Sequence, residues 1–246
     1  MSLAPLTLRK RSLLVRATDV AGLTRAFRPE PLRAEEMAEF YSSALDRCRA
    51  SHLLRRLKDD LTESAEQGFF FKGVLYGNRG VGKSTEINRL LDDPDITSTF
   101  IVIRLDALEE LNPQTFSVVD VLSLLIANLV QACEDKCREI GSVFNESGTM
   151  IDDLQQFLAP FFPELQNQIQ TGTTVGGGAE ASFVSLIKLS LRAEGQRKVD
   201  VVANRQTLAG LSAAIERYIS VVKNHLPEYQ LLIIGENFDK EQIPQK

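Results

Sequence analysis

At 246 residues the chain can bury roughly 70–75% of its unfolded surface, so its fold needs no disulfide support. Its 43% hydrophobic and 25% charged residues are typical of a soluble globular protein rather than a low-complexity or fibrous one. A net charge of −5 argues against a nucleic-acid surface over the whole chain, leaving at most a local basic patch.

The opening MSLAPLTLRKRSLLVRATDV has basic residues but no apolar run long enough for a secretion signal. Residues 1–32 read as irregular, with RSLLVRA as a short strand candidate and Pro29 and Pro31 closing the region. Over 34–66 the apolar residues recur at helical spacing: Met37, Phe40, Tyr41, Ala44, Leu45 and Cys48, then Leu54, Leu57 and Leu61. Ser51 is placed to cap a second helix after a break. Residues 1–67 are therefore expected to form a mainly helical N-terminal extension, and 68–246 the core.

FFFKGVLYG (69–77) reads as a buried strand, because it is rich in aromatic and β-branched residues and ends in glycine. KSTEINRLL then places Ile87, Leu90 and Leu91 on one helix face, with Asp92, Asp93 and Pro94 expected to stop the helix. FIVIRLDAL (100–108) is nearly continuous in apolar residues, which suits a parallel strand covered on both faces. Asn112 and Pro113 predict the next helix start, as cap and first helical residue. Val118, Val121, Leu122, Leu125, Leu129 and Cys133 are its expected buried stripe. The run SVVDVLSLLIANLV (117–130) is too short and too polar to span a bilayer.

Cys133 and Cys137 lie four apart, but the two histidines, His52 and His225, have no ligand spacing to them. They read as structural thiols in a reducing cytosol, and the protein as cytoplasmic. Residues 141–200 yield little. FLAPFFPELQ suggests a turn, and the glycine-rich TGTTVGGGAEAS (171–182) a flexible insertion. Arg192, Arg197, Lys198 and Arg205 read as a solvated face. An amphipathic helix over 206–224 shows Leu208, Leu211, Ile215, Tyr218, Ile219 and Val222, and Pro227 breaks it. LLIIGENFDK (231–240) is the third strand, ending in acids.

The sharpest signal lies between the first strand and its helix. Gly77, Gly82, Lys83 and Ser84 fit the phosphate-loop spacing G-x-x-x-x-G-K-[ST]. The amides from Asn78 through Arg79, Gly80, Val81 and Gly82 to Thr85 can converge on a phosphate at a helix N-terminus, where the dipole favours an anion. Lys83 would reach the β- and γ-phosphate oxygens, Ser84 would ligate Mg²⁺, and Thr85 would add a phosphate hydrogen bond. Such a site also needs a strand-end carboxylate for the metal. Glu236 and Asp239 are the candidates, and Glu236 could instead be the base that orients the attacking water. The cofactors expected are ATP and Mg²⁺.

GNRGVGKSTEINRL, FIVIRLDALEELNP with its VVDVLSLLIANL helix, and LLIIGENFDK together resemble a bacterial P-loop ATPase of the AAA/STAND-like group. The likeness covers roughly residues 68–240. Such proteins end the acid strand in a form acid-x-L-D-K. That form reads Glu236, Asn237, Phe238, Asp239, Lys240 here, with Glu236 where Asp is usual. The resemblance implies an α/β fold: a three-layer P-loop core with a mostly parallel sheet and an N-terminal helical segment. It implies five core strands where three are legible, so the C-terminal part of the core is expected to be missing. It also implies that the Asp46–Arg49 region helps enclose the adenine. The function implied is an ATPase module, slow or partner-dependent, switching a larger signalling or defence assembly. Further domains or protein partners, or a homo-oligomer, would go with it. Two alternatives stand beside it: a catalytically inactive nucleotide-binding scaffold, and a small-molecule kinase. A guanine-reading N-K-x-D is absent.

Overall fold

The computed structural model describes residues 31–33, 36–37, 40–41, 51–78, 81–112, 116–142, 144, 147–159, 161–162, 179–192 and 205–238. The RSLLVRA segment, the Asp46–Arg49 region, Cys48, Arg79, Gly80, Asp239 and most of the glycine-rich insertion lie outside these residues. The chain divides into two compact units, Met1–Ser98 and Thr99–Lys246, and the boundary expected near residue 67 falls inside the first.

In the first unit, α1 (Ser51–Gln67) packs on α2 (Lys83–Leu91), and α3 (Pro94–Thr99) follows directly. Lys58 of α1 ties the end of α2 down through Asp93 at 2.8 Å and Asp95 at 2.6 Å. The hydrogen bond from Lys58 holds the Asp93 carboxyl below its ordinary range. Its stabilisation is therefore present above the ordinary carboxyl range and is lost as pH falls through the lowered value. The pair is solvent-screened, so the effect is small.

Asp92, Asp93 and Pro94 do end α2, with Asp92 as its C-cap, but the same residues also begin α3. The Asp93 carboxylate accepts from the Asp95 amide at 3.0 Å, and Pro94 opens the helix, where its missing N–H costs nothing.

The expected strand at 69–77 does not form. Residues 69–78 join no sheet, and Phe70 and Tyr76 are 84% and 90% exposed. The aromatic and β-branched composition meets the side-chain requirement for a strand. A ladder also needs a partner edge, and no other strand lies in this unit among the described residues.

Among the described residues the second unit is mixed helix and strand, an α/β arrangement around a two-stranded parallel sheet. In chain order it holds β1 (Phe100–Asp106), α4 (Ala107–Glu110), α5 (Val118–Ile140), α6 (Ser147–Leu158), α7 (Ala179–Arg192), α8 (Arg205–His225) and β2 (Gln230–Glu236). The strands run in register from Phe100 opposite Gln230 to Asp106 opposite Glu236. Ile101, Ile103 and Leu105 are buried, whereas the residues between them are half-buried. β1 thus alternates instead of being covered on both faces, and α5 packs on it. On β2, Ile233 remains 48% exposed, less buried than its apolar sequence suggests.

The cap of α5 is Ser117, not Asn112. Ser117 and Asp120 form a reciprocal capping box, which satisfies two N-terminal amides at once. Val118 consequently lies at the exposed helix start, while Leu129 and Cys133 are buried as expected. The buried surface of α5 is wider than one stripe, because β1, α7 and α8 all pack on it. Gly141 closes the helix at φ 69°, a left-handed position that favours glycine. Helices α6 and α7 come from the stretch least readable in sequence, and α6 packs on both α7 and α8.

Leu124 is fully buried in the second turn of α5. Leu124→Ala is expected to cost about 2–5 kcal/mol, read as a lower urea midpoint at unchanged slope. Cys133 and Cys137 are buried free thiols. Burial pushes Cys133 up to about 12 and raises Cys137 as well. At pH 8 the Cys133 thiolate is then on the order of a thousandfold scarcer than in a free cysteine. In a Cys48→Ser background, a chromogenic disulfide reagent should react only after denaturant is added. Among the described residues no helix is long and apolar enough to cross a membrane.

Candidate functional site

The described loop residues, 77–78 and 81–85, run directly into α2. Val81 N–H donates to the Asn78 carbonyl at 3.5 Å, a long contact just ahead of the helix. Gly82 is the N-cap at φ 88°, ψ 24°. An L side chain is strained at that angle, so glycine is required by the backbone there. It offers the α2 N-terminus no side-chain acceptor, which leaves the helix start to an external anion or solvent. Gly77 differs: an added Cβ would meet Val81 and Lys83 at ordinary contact distances, and its φ is not positive.

Lys83 folds back over the loop. Its ammonium donates to the carbonyls of Gly77 at 2.7 Å and Asn78 at 3.2 Å. The cation is thereby held beside the helix N-terminus, on a partly solvent-exposed side chain that can exchange backbone carbonyls for a stronger anionic acceptor. Thr85, two residues on, accepts a hydrogen bond from the Leu32 amide at 3.3 Å.

In the second unit, β1 and β2 end side by side in carboxylates, Asp106 and Glu236. Glu236 is almost fully buried. Its Oε2 accepts from Arg104 at 2.7 Å, and its Oε1 is buried without a partner. Asn237, in left-handed conformation at φ 62°, donates to both Asp106 oxygens at 2.7 and 2.8 Å. Asp106 also caps α4 by accepting from the amides of Leu108 and Glu109. Behind this pair, Asn128 bridges the Arg104 carbonyl and Glu110, and Lys188 pairs with Glu110 at 3.1 Å. The ring of Phe238 lies over Gly235, where a Cβ would sit 3.2 Å from it, and meets Phe116 edge-on.

No family model, curated protein or solved structure matches the chain.

Of the residues singled out by sequence, the loop set belongs to the first unit and Glu236 to the second. Asp106 and Arg104 were missed. The signal for Asp106 was available: FIVIRLD ends in an acid after an apolar run, as LLIIGE does. Parallel pairing of two such strands sets the acids at one end. Among the described residues no group of three or more His, Cys, Asp or Glu could hold a metal. Mg²⁺ on a triphosphate does not require one, since phosphates and waters supply most of its ligands. A hydroxyl such as that of Ser84, at the start of α2, is a donor of the right hardness.

Proposed function

We propose that the chain binds ATP with Mg²⁺ through the loop 77–85 and acts as a nucleotide-dependent ATPase switch within a larger assembly. The observation that supports this most is the loop itself: a left-handed glycine cap at Gly82, followed by Lys83 poised over the loop carbonyls. Gly77, Asn78, Arg79, Gly80, Val81 and Gly82 would supply the backbone cradle. Lys83 would neutralise the β- and γ-phosphates, Ser84 would take Mg²⁺, and Thr85 would hold a further phosphate oxygen. Bound Mg²⁺ would offset charge on the transferred phosphoryl group. Glu236 would serve the metal or the attacking water, with Asp239 as a second acid. The fold proposed for this role is the three-layer P-loop core.

A second reading, a nucleotide-binding scaffold without turnover, is favoured by the ion pair that holds Glu236 on Arg104. Equilibrium binding of ATP, GTP and ADP with and without Mg²⁺, alongside phosphate release, tests both readings. Binding of ATP without phosphate release selects the scaffold. Absence of binding to any of the three sinks both.

A further inference from the structure

The loop helix α2 carries a second set of contacts that the phosphate-loop reading does not use. The Leu32 amide donates to Thr85 Oγ1 at 3.3 Å, and the Leu32 carbonyl accepts from Asn88 Nδ2 at 2.7 Å. Both backbone polar groups of Leu32 are thus taken by side chains one turn apart on α2. Glu36, buried, closes the turn that follows by accepting from the Arg33 amide at 3.2 Å. Farther on, Tyr41 donates its hydroxyl proton to Glu86 at 3.0 Å and accepts from Arg89 at 2.6 Å. The Arg89 guanidinium lies over the Tyr41 ring, 4.9 Å from its centroid. Residues 85, 86, 88 and 89 therefore hold Leu32 and Tyr41 on α2.

We propose that the contacts of Leu32 and Tyr41 on α2 form a strap whose seating is coupled to nucleotide occupancy through the Thr85 hydroxyl. This rests on the loop reading above. A hydroxyl has one proton to donate and can accept two. Thr85 uses acceptor capacity on Leu32, so its proton remains available. In the first turn of a helix that proton can turn back to the carbonyl four residues earlier, or outward to an anion at the helix N-terminus. A phosphate fixes the second choice, and the fixed rotamer holds the oxygen on Leu32. Linkage makes the effect reciprocal: whatever seats the strap tightens nucleotide binding by the same factor. The chain N-terminal to the loop thereby gains a means of sensing the bound state.

Amide hydrogen exchange of the full chain, with and without ATP and Mg²⁺, tests this together with equilibrium affinity. In the unsubstituted protein, nucleotide should slow exchange across 31–41 by about fivefold or more, the worth of one hydrogen bond. Thr85→Val should abolish that slowing and weaken binding, and Thr85→Ser should keep both. Asn88→Ala, outside the phosphate-loop pattern, should loosen the strap and raise Kd by about fivefold. Nucleotide binding that leaves exchange of 31–41 unchanged overturns the coupling and spares the loop reading. So does an Asn88→Ala protein with a loosened strap and unaltered Kd. Failure of the unsubstituted protein to bind ATP, with no slowing at residues 82–86, overturns the loop reading and the strap with it.

Discussion

Lys83→Ala is expected to abolish the thermal stabilisation of the protein by ATP with Mg²⁺. A ligand at a hundred times its Kd adds about 2.7 kcal/mol to the stability of the state it binds. For a chain of this size that is a rise in melting temperature of about 5–10 °C. The Lys83 ammonium bonds the carbonyls of Gly77 and Asn78. Those carbonyls can turn to water when the side chain is cut back, because Gly77 and Asn78 are exposed. The substitution should therefore leave the unliganded melting temperature within about 1–2 °C, the effect of an ordinary surface change. Loss of the ATP shift at an unaltered unliganded melting point assigns Lys83 to phosphate. A shift that persists in Lys83→Ala would sink the phosphate-loop reading. Gly82→Ala separates backbone from charge. It strains the left-handed cap at φ 88° and so lowers unliganded stability, which Lys83→Ala does not.

What could be read in advance follows from how local each feature is. The helix after Gly82 was legible because its glycine cap and its periodic face are set by adjacent residues. So was α8, where one periodic face is enough to define a helix. The cap of α5 was misplaced because two good caps, Asn112 and Ser117, compete within six positions. The reciprocal bond to Asp120 favours the second. The segment 69–77 shows the opposite limit. Its residues suit a strand, yet a strand exists only in its pairing, and pairing is not a local property. Asp106 needed the same non-local knowledge, since its place beside Glu236 comes from the β1–β2 register. Arg104 is the clearest case. It reads as a lone charge in an apolar strand, and only the distance to Glu236, 132 residues away in sequence, explains it.

Arg104→Ala is expected to destabilise the protein by about 2–4 kcal/mol, the cost of stranding a buried charge. The two partners are unequally placed. The Arg104 side chain is 37% exposed and that of Glu236 only 7%. Arginine can still reach water, whereas the carboxylate depends on arginine for one oxygen and has no partner for the other. Removing Arg104 leaves a nearly anhydrous carboxylate uncompensated. Glu236→Gln removes the charge and keeps the shape, so alone it should cost about 1 kcal/mol. In the Arg104→Ala background it should restore stability instead, because no charge is left to strand. Urea unfolding of the four proteins measures that sign reversal, and equal, additive losses would show that the pair is not coupled. The same Glu236→Gln protein divides the two functional readings. If Glu236 acts on the metal or the attacking water, ATP still binds and phosphate release stops. If the chain is a scaffold, Glu236 serves only Arg104, and neither binding nor the residual phosphate signal moves with the substitution.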